Sequence, residues 1–198
     1  NREGDHAILR IDFSNAFNTL ERDQILLGLM REGPQLVPWA RYCLESPALL
    51  YLTDGSTLTS RTGVQQGDPL GPLWFCAGLH HTLRDLRPQW RLGWESWFMD
   101  DGQFVGTLPD LEKVLGDLEA VTERTGLRLN KAKCELVCSP CMAPEARDPY
   151  PHLAQTALIL PGRRGDVQRL RFRGMEAATI LKCLGVPVGT PVRGGVAA

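Results

Sequence analysis

The chain has 198 residues, a formal net charge of -1, 43% hydrophobic and 23% charged residues, which are the proportions of an ordinary globular domain and exclude wholesale disorder. A domain of this size buries roughly 70% of its unfolded surface and folds without disulfide or structural metal, while the near-neutral balance lacks the basic excess usual in a complete nucleic-acid enzyme. No apolar run approaches the ~20 residues that span a bilayer and the cysteines form no regular framework, so the chain reads as soluble and intracellular, with reduced thiols.

The opening residues, Asn1-Arg2-Glu3-Gly4-Asp5, carry neither a starter methionine nor a targeting pattern, and the sequence reads as cut from something longer. Ala7 to Phe13 is rich in Ile and Leu and predicts a buried strand ending at Asp12. Asn18 and Glu21 predict a capping box for a helix whose apolar face is Leu20, Ile25, Leu26, Leu29 and Met30, stopped by Gly33-Pro34. A second helix fits Val37 to Glu45. Leu49 to Thr53 and Thr57 to Arg61 flank Asp54-Gly55, a hairpin signal. Gly63 to Pro72 is a loop dense in Gly and Pro, followed by an apolar helix from Leu73 to about Leu86. Trp94 to Met99 and Gln103 to Val105 flank Asp100-Asp101-Gly102, which predicts a second hairpin. Leu111, Val114, Leu115, Leu118 and Val121 recur at helical spacing between Pro109 and Gly126. Lys133 to Cys138 predicts another strand. From Ser139 to about Gly165 periodicity vanishes among prolines and glycines, predicting an irregular insertion, and Leu170 to Met175 with Ile180 to Val188 predict a late hairpin.

Leaving out the Leu49 hairpin and the Gly-rich loop, the order strand, helix, hairpin, helix, strand predicts an α+β fold. Its form is the ferredoxin-like split β-α-β arrangement, an antiparallel sheet with helices on one face. There the first strand and the central hairpin lie side by side, and Asp12 faces Asp100 and Asp101. Two aspartates at a hairpin tip are often turn chemistry alone. Here Trp97-Phe98-Met99 and Phe104-Val105 make the hairpin apolar; carboxylates crowded beside it repel one another, lose hydration and require a cation or a raised pKa. Magnesium, a hard ion preferring oxygen ligands, removes both penalties. In two-metal phosphoryl transfer, ions roughly 3.5–4 Å apart serve the attacking and leaving oxygens.

Five segments then stand in order: Leu9-Arg10-Ile11-Asp12-Phe13-Ser14-Asn15-Ala16-Phe17, Gln65-Gln66-Gly67-Asp68-Pro69-Leu70-Gly71-Pro72-Leu73, Phe98-Met99-Asp100-Asp101, Gly126-Leu127-Arg128-Leu129-Asn130-Lys131-Ala132-Lys133-Cys134 and Lys182-Cys183-Leu184-Gly185. Together they resemble the successive motifs of a reverse transcriptase palm, of the non-LTR retrotransposon and group II intron kind. The resemblance implies an RNA-directed DNA polymerase, with 1–138 as the palm core, 139–169 as the insertion, and 170–198 as a hairpin resembling the primer grip plus a tail. It implies that Asp12, Asp100 and Asp101 hold two Mg2+ ions, replaceable by Mn2+, and that Phe13 lends only its backbone carbonyl. Phe17 is placed as the ring beneath the sugar that collides with a ribose 2′-OH. Gln66 and Gly67 are placed to let backbone approach the nucleotide, glycine having no side chain to obstruct it. Lys133 is placed to donate a proton to departing pyrophosphate. The implied partners are an RNA template, a DNA primer and dNTPs, with no membrane.

The sequence departs from the family pattern in places. Phe98 stands where many relatives have Tyr, Asn18 where Asp is frequent, and the fingers and thumb that normally accompany a palm are not evident. A decayed palm that binds nucleic acid or protein without catalysis is the competing expectation. A zinc module around Cys138 and Cys141, completed by Cys134, His152 or Cys183, is a third. Arg163, Arg164, Arg169, Arg171 and Arg173 crowd one stretch, as either a solvated face or a phosphate-contacting strip.

Overall fold

Ala7, Leu9 and Ile11 are buried and alternate with the half-buried Ile8 and Arg10, a two-residue period that makes Ala7–Ile11 the first strand, β1. The structure, a computed structural model, describes residues 6–65, 67–138, 149–161, 167–169, 182–183 and 186–187. After β1 come the helices α1 (Ala16–Thr19), α2 (Arg22–Glu32) and α3 (Val37–Leu44), then the strands β2 (Ala48–Tyr51) and β3 (Thr57–Ser60). Helix α4 (Gly71–Leu83) leads to β4 (Trp94–Phe98) and β5 (Asp101–Gly106), and helix α5 (Leu108–Thr125) to β6 (Glu135–Val137). The later strands are β7 (Ala157–Pro161), β8 (Val167–Arg169), β9 (Lys182–Cys183) and β10 (Val186–Pro187).

The main sheet has the order β4-β5-β1-β6-β7-β8. Within β4-β5-β1-β6 every pairing is antiparallel, and this is the expected split β-α-β core, with β1 between the hairpin and β6. Leu9 pairs with Phe104 on one side and Leu136 on the other, giving a buried row across three strands. That row shares one hydrophobic core with Ile25 and Leu29 of α2, Phe75 and Leu79 of α4, and Leu111, Val114 and Leu118 of α5. The helices therefore cover this face, and residues of opposite parity, Arg10 and Asp101 among them, lie on the other.

The structure corrects four local expectations. Asn18 does not open the long helix. It lies inside α1, where its amide N–H donates to Asn15 O at 3.0 Å and its side chain donates to Asn15 Oδ1 at 2.5 Å, so nothing is left for Glu21 to cap. The hairpin turns at Met99-Asp100, because Phe98 pairs with Asp101. Gly102 sits within β5, where a Cβ would press on Ile11 and Trp97 at 2.8 Å; the glycine marks close packing and not a turn. Residues 157–161, expected as irregular, form β7, which runs parallel to β6 and carries β8 on its far edge. Finally, the stretch 180–188, expected as one strand of the late hairpin, holds two, Lys182–Cys183 pairing with Val186–Pro187; its expected partner at 170–175 lies outside the described residues. Among the described residues no helix is long and apolar enough to cross a membrane.

Candidate functional site

The pairing of β1 with β5 ends at Ile11 opposite Gly102, and one further step in the same register sets Asp12 opposite Asp101. Beyond β1 the chain continues beside the 128–130 segment through an isolated bridge between Phe13 and Leu129. Asn130 N–H donates to Asp12 O and Ser14 N–H to Arg128 O, both at 2.8 Å. Because strand residues alternate in the direction of their polar groups, Phe13's own carbonyl points the other way, towards the hairpin flank. Its ring is buried and stacks on Trp97 with centroids 6.4 Å apart, which holds the end of β1 to the hairpin.

Asp100 occupies the tip itself, beside Met99, whose φ is 55°. Asp12, Asp100 and Asp101 are all half-buried. Burial first, and then the negative charges of Asp101 and Asp12, push the Asp100 carboxyl above its ordinary range. Asp100 in turn reaches α4: burial and then its charge raise the Cys76 thiol. Among the described residues no three acidic, His or Cys side chains close around one point as an ion would draw them.

The neighbouring row adds two residues that motif reading did not single out. Arg10 pairs with Gln103 on one side and Glu135 on the other, and its guanidinium lies 3.7 Å from both Asp101 Oδ1 and Glu135 Oε2. Burial raises the Glu135 carboxyl, Arg10 lowers it, and Asp12 raises it again. The signal was available in the sequence: Arg10 precedes Asp12 by two positions in a strand and must share its face.

The other candidates are distributed around this centre. Phe17, in α1, is half-buried and stacks on Phe75 of α4, ring centroids 4.4 Å apart. Gly67 is exposed at φ 92° with no heavy atom within 4 Å of a would-be Cβ, so the loop there presents bare backbone. Gln66 lies outside the described residues. Lys133 is exposed in the turn before β6, its amide donating to Asn130 O at 2.8 Å. A cavity of about 440 Å³ lined by Glu119, Thr122 and Gly126 to Leu129 includes none of the three aspartates. Of the zinc expectation, Cys134 and Cys138 are buried, His152 donates to Glu119 Oε2 at 2.5 Å, and Cys141 and the Cys183 side chain lie outside the described residues. The same holds for Arg163, Arg164, Arg171, Arg173 and the Arg169 side chain.

The sequence matches the family model described as reverse transcriptase (RNA-dependent DNA polymerase) over residues 1–188. No curated protein matches it. Among solved structures, telomerase from Candida albicans in complex with a TWJ fragment of telomeric RNA superimposes with a TM-score of 0.54 at 14% identity, over 88% of this chain and 29% of that one. Apo telomerase from Candida tropicalis gives 0.53 at 13% identity, over 73% of this chain and 30% of that one. At such identity the likeness is one of fold, and the chain spans less than a third of the length of either telomerase.

Proposed function

We propose, on the premise that this chain belongs to the reverse transcriptase (RNA-dependent DNA polymerase) family, that the end of β1 and the tip of the β4–β5 hairpin form the nucleotidyl-transfer centre of an RNA-directed DNA polymerase of retroelement origin. One observation carries this reading: β1 pairs with β5 up to Ile11 opposite Gly102, which brings the strand end that carries Asp12 beside the hairpin tip that carries Asp100 and Asp101. The donors fit hard divalent cations, being carboxylate oxygens, half-buried, with negative charge in excess. Asp12, Asp100 and Asp101 would hold two Mg2+ ions, or Mn2+ in their place, with the Phe13 carbonyl as a further oxygen. Bound there, the ions supply charge neutralisation for the attacking primer 3′-oxygen and for departing pyrophosphate.

The protein's own residues do the positioning. Phe17 lies beneath the nucleotide sugar and excludes a 2′-OH, its ring kept in place by Phe75. The loop of Gln66 and Gly67 brings backbone to the incoming dNTP, and exposed Lys133 donates a proton to the leaving pyrophosphate. An RNA template and a DNA primer complete the substrates; that a telomerase of similar fold is seen with telomeric RNA supports the RNA partner.

Primer extension on an RNA template, by the protein in its full natural length, tests the reading through Asp100→Ala. Loss of an interaction worth several kcal/mol in the transition state lowers extension by about 10³-fold or more. Undiminished extension removes the metal assignment.

A further inference from the structure

Arg22, the first residue of α2, is only 8% exposed, yet its hydrogen-bond partners are backbone carbonyls. Its Nε–H donates to Gly63 O at 3.0 Å, and Nη1 donates to Leu44 O at 2.8 Å and Ser46 O at 3.2 Å. One guanidinium thus binds the end of α3 to the segment entering the Gly-rich loop. A buried cation costs several kcal/mol of lost hydration, and an apolar side chain would fill the same volume more cheaply. What an apolar side chain cannot do is fix carbonyls from two separate segments through one planar fork.

The carbonyl that Nε holds belongs to the residue most tightly laced to α1. Gly63 N–H donates to Leu20 O at 2.8 Å, Val64 N–H to Phe17 O at 2.7 Å, and Thr62 Oγ1 to Asn18 O at 2.8 Å. Gly63 has φ 66°, and a Cβ there would overlap Phe17 O and the Asn18 backbone, so the two segments are in direct backbone contact. Downstream, Asp68 N–H returns to Gln65 O at 3.2 Å, and Gly71 N–H to Asp68 O at 3.0 Å at the start of α4. The loop of Gly67 is therefore anchored at both ends, and its first anchor is also the backbone of Phe17.

We propose that Arg22 is a positioning residue for nucleotide selection: by gripping Gly63 it locks Phe17 to Val64 and Gln65, so that the ring beneath the sugar and the backbone leading to Gly67 keep a fixed spacing. This rests on the nucleotide-gate reading of Phe17 given above. Neither residue class nor motif spacing assigns the role; it follows from the three carbonyls and the Phe17–Val64 bond.

The test compares dNTP and rNTP incorporation by the full-length protein carrying Arg22→Met, Arg22→Lys or Thr62→Val, with thermal melts alongside. Arg22→Met removes all three bonds and lowers the dNTP-over-rNTP ratio of kcat/KM by about tenfold with a raised dNTP KM, below the roughly hundredfold that ~1 Å of misplacement costs. Arg22→Lys keeps the charge but has one donor nitrogen in place of the two-nitrogen fork, and falls between Met and wild type; Thr62→Val loosens the same junction and shifts the ratio the same way. If Arg22→Met gives no cooperative melt, the other two variants decide. Folded variants with lowered Tm but wild-type discrimination and wild-type dNTP KM overturn the proposal, because a merely structural arginine would behave that way. Phe17→Ala, measured in parallel, separates the two levels. Unchanged sugar preference there removes the gate itself, and with it this role for Arg22; relaxed preference there with wild-type behaviour at Arg22 removes only the brace.

Discussion

Phe17 and Glu119 each owe their behaviour to partners far away in the chain. Phe17 is pinned by its ring to Phe75 and by its carbonyl to the Val64 amide. On the proposed reading, replacing it with Ala opens the space where a 2′-OH would clash. Competing dNTP and rNTP incorporation should show discrimination falling by about 10- to 100-fold, the range a steric pocket can supply against one added hydroxyl; unchanged preference would make Phe17 ordinary core. Glu119 of α5 accepts from His152 Nδ1 at 2.5 Å and pairs with Lys131, which also donates to Gln155 Oε1 at 2.9 Å. Burial raises its carboxyl, but the hydrogen bonds from Lys131 and His152 outweigh that and hold it below its ordinary value of 4.5. A depressed carboxyl contributes stability that is complete above its unfolded pKa and is lost as pH falls through the lower folded one. Thermal melts should therefore show an acid-side loss below about pH 4.5, shallower in Glu119→Gln; an identical acid limb in both proteins would show that the latch adds nothing.

At the level of elements, the site depends on how closely α2 and α4 approach. A Cβ on Gly28 would overlap the Ala77 carbonyl, and one on Gly78 would lie 2.9 Å from Leu20 and 3.1 Å from Ile25. Glycines here let two helices touch backbone to backbone and bring Phe75 under Phe17. Gly28→Ala should cost about 1–3 kcal/mol, as overpacking does, read from the urea midpoint at unchanged m. The elements themselves were legible wherever a period was. α5, with Pro109 in its first turn and Gly126 at φ 78° after its end, matched its pattern. β7 was missed for a physical reason: Ala157-Leu158-Ile159-Leu160-Pro161 is a continuous apolar run, the composition of a strand with neighbours on both edges, and shows no alternation to read.

Across the whole molecule, stability should be unequal. β1 is hydrogen-bonded on both edges and its Leu9 and Ile11 are fully buried. β2 and β3 form a separate two-stranded sheet, with Leu49, Leu50, Tyr51 and Leu58 exposed. A lone hairpin is marginal in water, so native-state hydrogen exchange should find β2–β3 amides exchanging well before those of β1 and β5. Equal protection in both would mean that the hairpin is as firmly held as the centre. Asp12 directly follows β1 and Asp101 opens β5, so on the proposed reading the firmest strands hold two of the three carboxylates in place.

The order of the main elements from β1 to β6 and the candidacy of the three aspartates were available in the sequence, because hydrophobic period and motif chemistry are local properties of consecutive residues. So was the face that Asp12 occupies, since parity along a strand cannot be otherwise. The register that ends with Ile11 against Gly102, the turn at Met99-Asp100 in place of Asp100-Asp101-Gly102, and the ring of Phe75 stacked on Phe17 were decided only in three dimensions. Each depends on which distant surfaces come into van der Waals and hydrogen-bonding reach. Gly102 shows the difference most clearly: its residue type suggests a turn, and only the packed Ile11 and Trp97 reveal that it is glycine for lack of room.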